Sequence, residues 1–538
     1  MDKKILSRFG IVALGLASLF AFTASAATFI GDVQANMPQV QGDSSSNTTA
    51  VFPTNKQNEP TIAVNPVQNN FLLAGANDEQ RQPPCGPGPV RGSGAPGNDC
   101  SFFPGIGTSG VYRSLDGGAT WTNLGLLDDQ VSWQASPFVS DGDPVIVYGP
   151  KPNGSGGFSY ALGARAYYAT LASYKTGQSP FPLNKFPELV VVSHSDDNGV
   201  TWSAPAVAFA KENPNNFNDK QSIWADKNPN SPYFGRVFVS WTQFRSASPS
   251  SPSEPIVVTY STDGGLSFTA GKQVSPAGNN RTGNGRQGSA IRSGPDGSVY
   301  LAWAQGAAQV VAISRTGGDK WSRPVRIGAV VDIADPIPGA NFRTDSFVSI
   351  AADPRAGSQK IYAAWANETS TGGRIVVSTS SDRGETWGAP ETVSTAVEGY
   401  AFFQGLDVAP NGRVDLGYQA LKAIDTSTSG TGNALIDAYY VNKSGGPWSA
   451  PLKVTTTSSD PAASAQNNLA LQFWGDYNTL VSGNAGAWFI YTDSRNGTGC
   501  AAVDSYQQDP DTVAKPAPGL VCPSQFGNTN AFVSKISP

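Results

Sequence analysis

The sequence predicts an all-β fold built from one repeated structural unit, and three observations support this prediction. Short apolar segments rich in β-branched residues recur along the chain, and such segments are typical of strands. An eight-residue motif recurs after some of them, at intervals of about 50 to 80 residues. The composition, with 59 glycines, 40 prolines and 10% aromatic residues in 538, suits a fold with many turns. A unit that recurs at this spacing indicates a repeat architecture.

The repeated motif has the form Ser-x-Asp-x-Gly-x-Thr-Trp, and one copy ends in Ser-Phe instead. Two degenerate copies, ending at Trp321 and Trp448, lack the aspartate. The Asp-x-Gly core predicts a tight turn, because glycine accepts a positive φ and the carboxylate accepts N–H groups of the turn. We expect the tryptophans to pack between neighbouring sheets. We interpret the four motif aspartates as structural and not catalytic: Asp116, Asp197, Asp263 and Asp382.

Each motif closes a unit of four predicted strands. The strand before the motif is β-branched, and it follows a short inner strand and an aromatic-rich strand such as 299–303. Four antiparallel strands per unit form the blade of a β-propeller. Six units end in the motif or a degenerate copy, and a seventh, from Phe473 to Ser534, has none. We therefore favour seven blades over six, and an N-terminal segment is available to supply the missing fourth strand.

The N-terminal segment of the chain predicts export. Residues 1–26 combine an early basic segment, an apolar run and Ala24-Ser25-Ala26, which is the pattern of a secretory signal peptide. We assign 27–57 to an N-terminal arm and 58–538 to the propeller. We expect a secreted or periplasmic monomer without a membrane anchor. The net charge of −5 disfavours nucleic acid and anionic membranes as partners.

The cysteines and the single histidine narrow the chemistry further. Export and local spacing predict two disulfides, Cys85–Cys100 and Cys500–Cys522, although four cysteines allow three pairings. His194 lies in a predicted strand, so we interpret it as structural. One histidine excludes a histidine-rich metal site and makes a Ser-His-Asp triad improbable. We expect no cofactor, while oxygen ligands leave bound calcium open.

Propeller topology brings the starts of the first strands to one end of the central channel. The loops between second and third strands lie on the same face, and several are long. A rigid scaffold with long loops on one face favours a recognition surface. In the alternative interpretation, the polar side chains cap strand ends and hold channel water. The candidate residues are Glu59, Asp143, Asp219, Lys220, Arg286, Gln287, Arg343, Asp345, Gln404, Asp476 and Tyr477.

The repeated motif resembles the Asp-box, or BNR, repeat of the sialidase superfamily, over most of the chain after about residue 58. Sialidases use three arginines on the substrate carboxylate, a Tyr–Glu nucleophile pair and an aspartate acid/base. The resemblance implies Tyr477 as nucleophile, and Arg286 and Arg343 as two of the arginines. The Arg-Ile-Pro motif that carries the first arginine is absent, and no partner glutamate is identifiable, so a true sialidase is disfavoured.

We therefore predict an enzyme acting on an anionic glycan at the central opening. A glycosidase needs two carboxyl groups, and a lyase needs a base such as Tyr477 or Lys220 with an arginine on the uronate carboxylate. The alternative is a non-catalytic propeller that binds a glycan or protein. The predicted catalytic residues are Tyr477, Asp476, Glu59 and Asp143. The predicted substrate-binding residues are Arg286, Arg343, Lys220 and Asp345.

Overall fold

Seven four-stranded antiparallel sheets form the fold. A computed structural model describes residues 27–36, 52–83, 105–180, 187–209, 216–245, 253–276, 286–427 and 430–538. The first strand of each sheet contacts the first strand of the next, and the seventh contacts the first, so the sheets close into a ring. This is a seven-bladed β-propeller, and the favoured blade count is confirmed. The predicted signal peptide and the Cys85–Cys100 pair lie outside the described residues.

The blades follow one another along the chain. Blade one contains β2 (Gln57–Val64), β3 (Leu72–Asp78), β4 (Gly110–Ser114) and β5 (Thr122–Leu126). Blade two contains β6 (Phe138–Pro152), β7 (Phe158–Tyr174), β8 (Leu189–Ser195) and β9 (Ala206–Val207). Blade three contains β10 (Asn216–Ala225), β11 (Val237–Arg245), β12 (Ile256–Ser261) and β13 (Lys272–Gln273). Blade four contains β14 (Arg286–Ser293), β15 (Val299–Gln305), β16 (Ala308–Ser314) and β17 (Val325–Ala329).

The remaining blades keep the same order. Blade five contains β18 (Ser349–Ala352), β19 (Ile361–Thr369), β20 (Gly372–Ser380) and β21 (Glu391–Thr392). Blade six contains β22 (Tyr400–Val408), β23 (Val414–Ala423), β24 (Ala434–Lys443) and β25 (Leu452–Lys453). Blade seven contains β26 (Thr479–Ser482), β27 (Ala487–Asp493), β28 (Asn530–Ser537) and the N-terminal β1 (Thr28–Gln34). The helices are α1 (Val131–Gln134), α2 (Ala501–Gln508) and α3 (Pro518–Val521), with 3-10 turns at Leu127–Asp129 and Pro461–Ala463.

The two ends of the described chain join in blade seven. Strand β1 pairs antiparallel with β28, so the N-terminal arm supplies the outer strand of the last blade. Arg495 forms ion pairs with Asp32 of β1 at 2.6 Å and with Asp493 of β27 at 2.7 Å. Pairing of the N-terminal strand with the C-terminal strand therefore completes the last blade by main-chain hydrogen bonds.

The core lies between adjacent blades and is dominated by tryptophans of the second strands. Trp241, Trp303 and Trp365 are fully buried. Trp202 belongs to a cluster between two blades, and the other four motif tryptophans pack half-buried against such clusters, so the expectation that they lie between neighbouring sheets is confirmed. The fourth strands are short, and four of them are only two residues long. The half-buried motif tryptophans are Trp121, Trp321, Trp387 and Trp448.

Each motif aspartate binds groups of its own turn. The Asp116 carboxylate accepts hydrogen bonds from the N–H groups of Ala119 and Thr120 at 3.0 and 2.9 Å, and from the hydroxyls of Ser114 and Thr120. Equivalent bonds hold the other three turns. The Thr386 hydroxyl and N–H lower the pKa of Asp382 to about 2, so this group is ionised at neutral pH. The motif carboxylates are therefore occupied by hydrogen bonds within their own turns.

The loop after β27 carries the described disulfide. Cys500 and Cys522 are bonded, which confirms this predicted pair. Cys500 is buried against Phe52, Leu469, Val503 and Phe526, so the bridge fastens α2 to a small apolar cluster beside the ring. Among the described residues no helix combines the length and the apolarity needed to cross a membrane.

Candidate functional site

The inner strands of the blades place one residue each at the same level of the channel. Five inner strands have a β-bulge, for example between Asp219 and Ser222, and the bulged residue has a positive φ in all five. The strand pairings put Phe347 and Tyr477 at the equivalent position of blades five and seven. We name these seven residues the channel ring: Glu59, Asp143, Lys220, Gly288, Phe347, Phe403 and Tyr477.

The bulges are strained at four of these positions. Glu59, Asp143, Lys220 and Phe403 have φ values of 52, 52, 55 and 47°, which residues other than glycine adopt at a cost of about 1 to 2 kcal/mol. Bulges re-aim side chains, and strained backbone persists only where the surrounding structure enforces it. The strain therefore marks this level of the channel as a candidate site.

Side-chain amides next to the channel ring tie adjacent blades together. Gln404 donates to the Phe347 carbonyl at 2.8 Å, and Asn478 donates to the Phe403 carbonyl at 3.4 Å. Gln221 donates to the Asp143 carbonyl in the same way. In each case the residue after the ring position bonds the ring residue of the preceding blade. Gln404, a candidate from the sequence, therefore has a structural role here.

A network of charges extends from the surface to the channel ring. Arg343 donates two hydrogen bonds to Asp476, at 2.8 and 2.7 Å. The Lys220 ammonium lies 3.8 Å from Oδ2 of this carboxylate, the oxygen that accepts the 2.7 Å bond, and 3.7 Å from the centroid of the Tyr477 ring. Arg343 is 47% exposed, while Lys220 and Asp476 are 9% and 13% exposed. Together with Asp345, we name this group the mouth cluster: Arg343, Asp345, Lys220, Asp476 and Tyr477.

Two carboxyl groups around the opening, those of Asp143 and Asp345, have raised pKa values. Burial and the charge of Glu59 raise the pKa of Asp143 well above its usual range. Asn77 joins these two residues, donating to the Glu59 carboxylate at 3.0 Å and accepting from the Asp143 N–H at 2.6 Å. Burial and the charge of Asp476 raise the pKa of Asp345 to about 7. Protonated carboxyl groups are therefore present at neutral pH, and they are potential proton donors.

Tyr477 lies in the channel with its hydroxyl buried. No hydrogen-bond partner of this hydroxyl is present among the described residues. Burial, followed by the charges of Asp143 and Glu59, raises the pKa of Tyr477 well above 10. A nucleophile or base must lose its proton, so these surroundings work against a phenolate in the absence of substrate.

Arg286 occupies a different part of the same face. Its side chain is buried. Its main-chain N–H donates to the Glu254 carboxylate, and its guanidinium Nε donates to the Gln305 side-chain oxygen, each at 3.3 Å. Across the described ranges no contact joins Arg286 to Arg343, Asp476 or Tyr477. Asp219 accepts the N–H of Lys220 at 2.8 Å and so helps to hold the bulge.

The sequence reasoning missed an aromatic and charged wall beside Arg343. Phe473 lies between two cations, with the Arg343 guanidinium 5.1 Å and the Lys56 ammonium 4.8 Å from its ring centroid. Lys56 pairs with Glu79 at 3.3 Å, and both side chains are almost completely buried. Lys56 directly precedes β2 and Glu79 directly follows β3, so their positions next to strand boundaries are the sequence signal that points to them.

The central channel is a cavity of about 640 Å³ lined by the inner strands of all seven blades. Lys220, Asp345 and Tyr477 line one part, and Lys227 and Arg292, further along their strands, line another. No three ligating side chains converge as a metal site in the part of the chain that the structure describes.

The raised pKa of Asp345 predicts a measurable pH dependence of stability. The folded state favours the protonated carboxyl, so its stabilisation is complete below about pH 4 and is lost as the pH rises to about 7. We expect Asp345→Asn to raise the thermal midpoint relative to wild type increasingly between pH 4 and 7. The exposed Glu385→Gln serves as control. An equal difference at both pH values would contradict the assignment.

Comparisons with known proteins give structural neighbours only. No protein-family model and no curated protein matches this sequence. A Dyadobacter fermentans protein of unknown function aligns over 96% of this chain and 100% of its own, with 12% identity and a TM-score of 0.41. The intramolecular trans-sialidase from Ruminococcus gnavus aligns over 70% and 94%, with 14% identity and a TM-score of 0.38. The α-L-arabinofuranosidase from Fusarium graminearum aligns over 75% and 98%, with 12% identity and a TM-score of 0.39.

Proposed function

We propose that this protein is an exported, carbohydrate-active propeller that binds an anionic glycan at the mouth cluster and cleaves it as a glycosidase or lyase. One observation carries the proposal: an accessible arginine and a carboxyl group that is protonated near neutral pH occur in the same cluster. Arg343 supplies the first and Asp345 the second. An anionic sugar needs a cation for its carboxylate or sulfate, and cleavage of a glycosidic bond needs a proton donor.

The contacts of Arg343 define how it would bind a substrate. Asp476 occupies its Nε and one terminal nitrogen, which fixes the plane of the guanidinium. The half-exposed remainder of the group faces the opening and is available to a sugar carboxylate. Phe473 provides an apolar surface 5.1 Å from the same guanidinium, suitable for packing against a sugar ring. Arg343 is therefore the proposed anion-binding residue, and Asp476 positions it.

The proposed proton transfers use the carboxyl groups with raised pKa. Asp345 would donate a proton to the departing glycosidic oxygen in a glycosidase. Glu59, whose charge raises the pKa of neighbouring Asp143, would supply the second carboxyl group, as nucleophile or as base toward water. In a lyase, the Lys220 amine would take the proton next to the uronate carboxylate while Arg343 neutralises that carboxylate; a C=C bond would form as the bond to the glycosidic oxygen breaks, and Asp345 would protonate the leaving oxygen. The two reactions leave different products, so product analysis separates them.

A second candidate, a non-catalytic glycan-binding propeller, also has an observation in its favour. The charges of the mouth cluster pair with one another, since Asp476 binds both Arg343 and Lys220. The Tyr477 hydroxyl is also buried. Such a cluster can recognise an anion through Arg343 without any group being free to attack.

The test is a panel of sialosides, uronic-acid polysaccharides and neutral glycans, measured for binding and for product formation. We expect binding and turnover of an anionic glycan by the wild-type protein. Arg343→Ala should weaken binding by about 10- to 150-fold, the value of a charge-assisted hydrogen bond of about 1.5 to 3 kcal/mol. Asp345→Asn should lower kcat by about 10²- to 10⁴-fold, with a smaller change in binding. Arg383→Ala, which removes an exposed arginine near the motif turns, is the matched control.

Each outcome of this panel decides between the candidates. Binding without product, and lost in Arg343→Ala, supports the binding propeller. Binding of neutral glycans alone, or anionic binding unchanged in Arg343→Ala, contradicts a site at the mouth cluster. Tyr477→Phe adds a further distinction, because full turnover in this variant excludes Tyr477 as nucleophile or base.

A further inference from the structure

A second level of the channel is defined by the strand pairings four residues beyond the channel ring. Its seven members are Ala63, Val147, Trp224, Arg292, Ala351, Asp407 and Val481. Four of them are small or β-branched apolar residues. The aromatic and charged members therefore stand out. At about 3.3 Å per residue, this level lies about 13 Å from the channel ring along a strand.

Two cations stack on the tryptophan of this level. The Lys227 ammonium lies 4.1 Å and the Arg292 guanidinium 4.5 Å from the centroid of the Trp224 indole. The indole N–H donates to the Ser293 hydroxyl at 3.0 Å, which fixes the ring. Trp224, Lys227 and Arg292 all line the central cavity. The tryptophan thus holds two positive side chains close together at the cavity wall.

These cations lack a direct counter-ion. No carboxylate lies within 4.0 Å of either group in the described part of the chain. The acidic member of this level, Asp407, uses one oxygen to accept the N–H of Val408 and the other to accept the N–H of Ser482, each at 2.9 Å. Main-chain groups of blades six and seven therefore orient Asp407, and its charge stabilises both cations from a distance without forming an ion pair with either.

One terminal nitrogen of Arg292 donates to the Ile291 carbonyl at 2.8 Å, and within the described residues no ion pair uses the charge of Arg292 or Lys227. Burial lowers the pKa of Lys227 to about 8, although the charge of Asp407 acts to raise it. The amine is therefore still mostly protonated at neutral pH. The Nε of Arg292 is buried, with no partner within the described ranges. Arg292 and Lys227 both line the cavity, where an oxyanion can accept hydrogen bonds from the ammonium and from the terminal guanidinium nitrogens.

We propose that Lys227 and Arg292 form a second anion site in the channel, which binds an oxyanion such as sulfate, phosphate or a small carboxylate. The site uses none of the groups of the mouth cluster, so it does not depend on the proposed glycan activity. An oxyanion there accepts hydrogen bonds from both cations and links blades three and four.

The test uses the full mature chain and inorganic sulfate and phosphate, with sodium chloride keeping the ionic strength constant. We expect saturable binding by calorimetry and a rise in the thermal midpoint with sulfate but not with chloride. Lys227→Met and Arg292→Met should each weaken sulfate binding by at least about tenfold, since each removes one charge-assisted bond. Lys272→Met, on a surface strand, should leave it unchanged. Glucuronate in place of sulfate tests whether a sugar carboxylate is also accepted.

A second measurement needs no variant. Sulfate should slow acylation of Lys227, measured by mass spectrometry, by at least about threefold, while Lys272 reacts at an unchanged rate. Sulfate binding that persists in both methionine variants overturns the proposal. So does binding that is lost in Arg343→Ala but not in Arg292→Met, because the anion would then occupy the mouth cluster.

Discussion

Trp241→Ala is expected to lower the free energy of unfolding by about 3 to 5 kcal/mol. The indole is completely buried between blades two and three, where it packs edge-on against Phe209 at 5.8 Å. Its N–H donates to Asn218 at 2.9 Å, so truncation also leaves a buried amide oxygen without this donor. The cavity and the lost hydrogen bond act in the same direction.

Trp387→Ala is the matched comparison, because it removes the same atoms from a half-buried position. We expect the free energy of unfolding to fall by less than about 2 kcal/mol, because folding removes less apolar surface from water at this half-buried site. Urea unfolding followed by tryptophan fluorescence and by circular dichroism measures both variants. Equal losses in the two would show that the second-strand tryptophans are not the main inter-blade core.

Glu79→Leu is expected to cost about 3 to 5 kcal/mol, because it leaves the Lys56 amine buried without its partner. The pair is 3.3 Å apart, and its two side chains are 3% and 1% exposed. Burial lowers the pKa of Lys56 and raises that of Glu79, which shows how strongly the surroundings disfavour either charge alone. Thermal and urea unfolding at pH 7 measure the loss.

The double variant Lys56→Met/Glu79→Leu isolates the cause. It removes both charges, and apolar replacements of a buried pair are often neutral, so most of the lost stability should return. Asp319→Ala, which breaks the exposed pair with Lys272, should cost less than about 1 kcal/mol. A double variant as unstable as Glu79→Leu would place the cost in packing and not in the unpaired charge.

The repeated features of the fold could be predicted, and the reason is that they are local. The turn motif, the strand before it and the aromatic second strand occur within about 60 residues, so each blade is encoded by its own segment. The Cys500–Cys522 pair spans only 22 residues and could be predicted on the same ground. The packing of the motif tryptophans between sheets was predictable as well, although only Trp202 of them is buried.

The candidate site was only partly accessible to this reasoning. The rule that first strands line the channel selected Lys220, Asp476 and Tyr477. It did not identify Phe347 and Phe403, which share their level, because apolar residues carry no chemical signal in the sequence. It also grouped Arg286 with Arg343, whereas the described contacts of Arg286 are with Glu254 and Gln305.

The sequence by itself determined the all-β class, the seven units and the turn role of the motif aspartates, since residue type and spacing specify strands and turns. Only the tertiary structure decided which charges meet. Arg343 and Asp476 are 133 residues apart, and Lys227 and Arg292 belong to different blades. Closure of the ring brings such residues together, and the same closure buries them and shifts their pKa values. Contacts and burial of this kind arise between blades, so no segment of the chain encodes them alone.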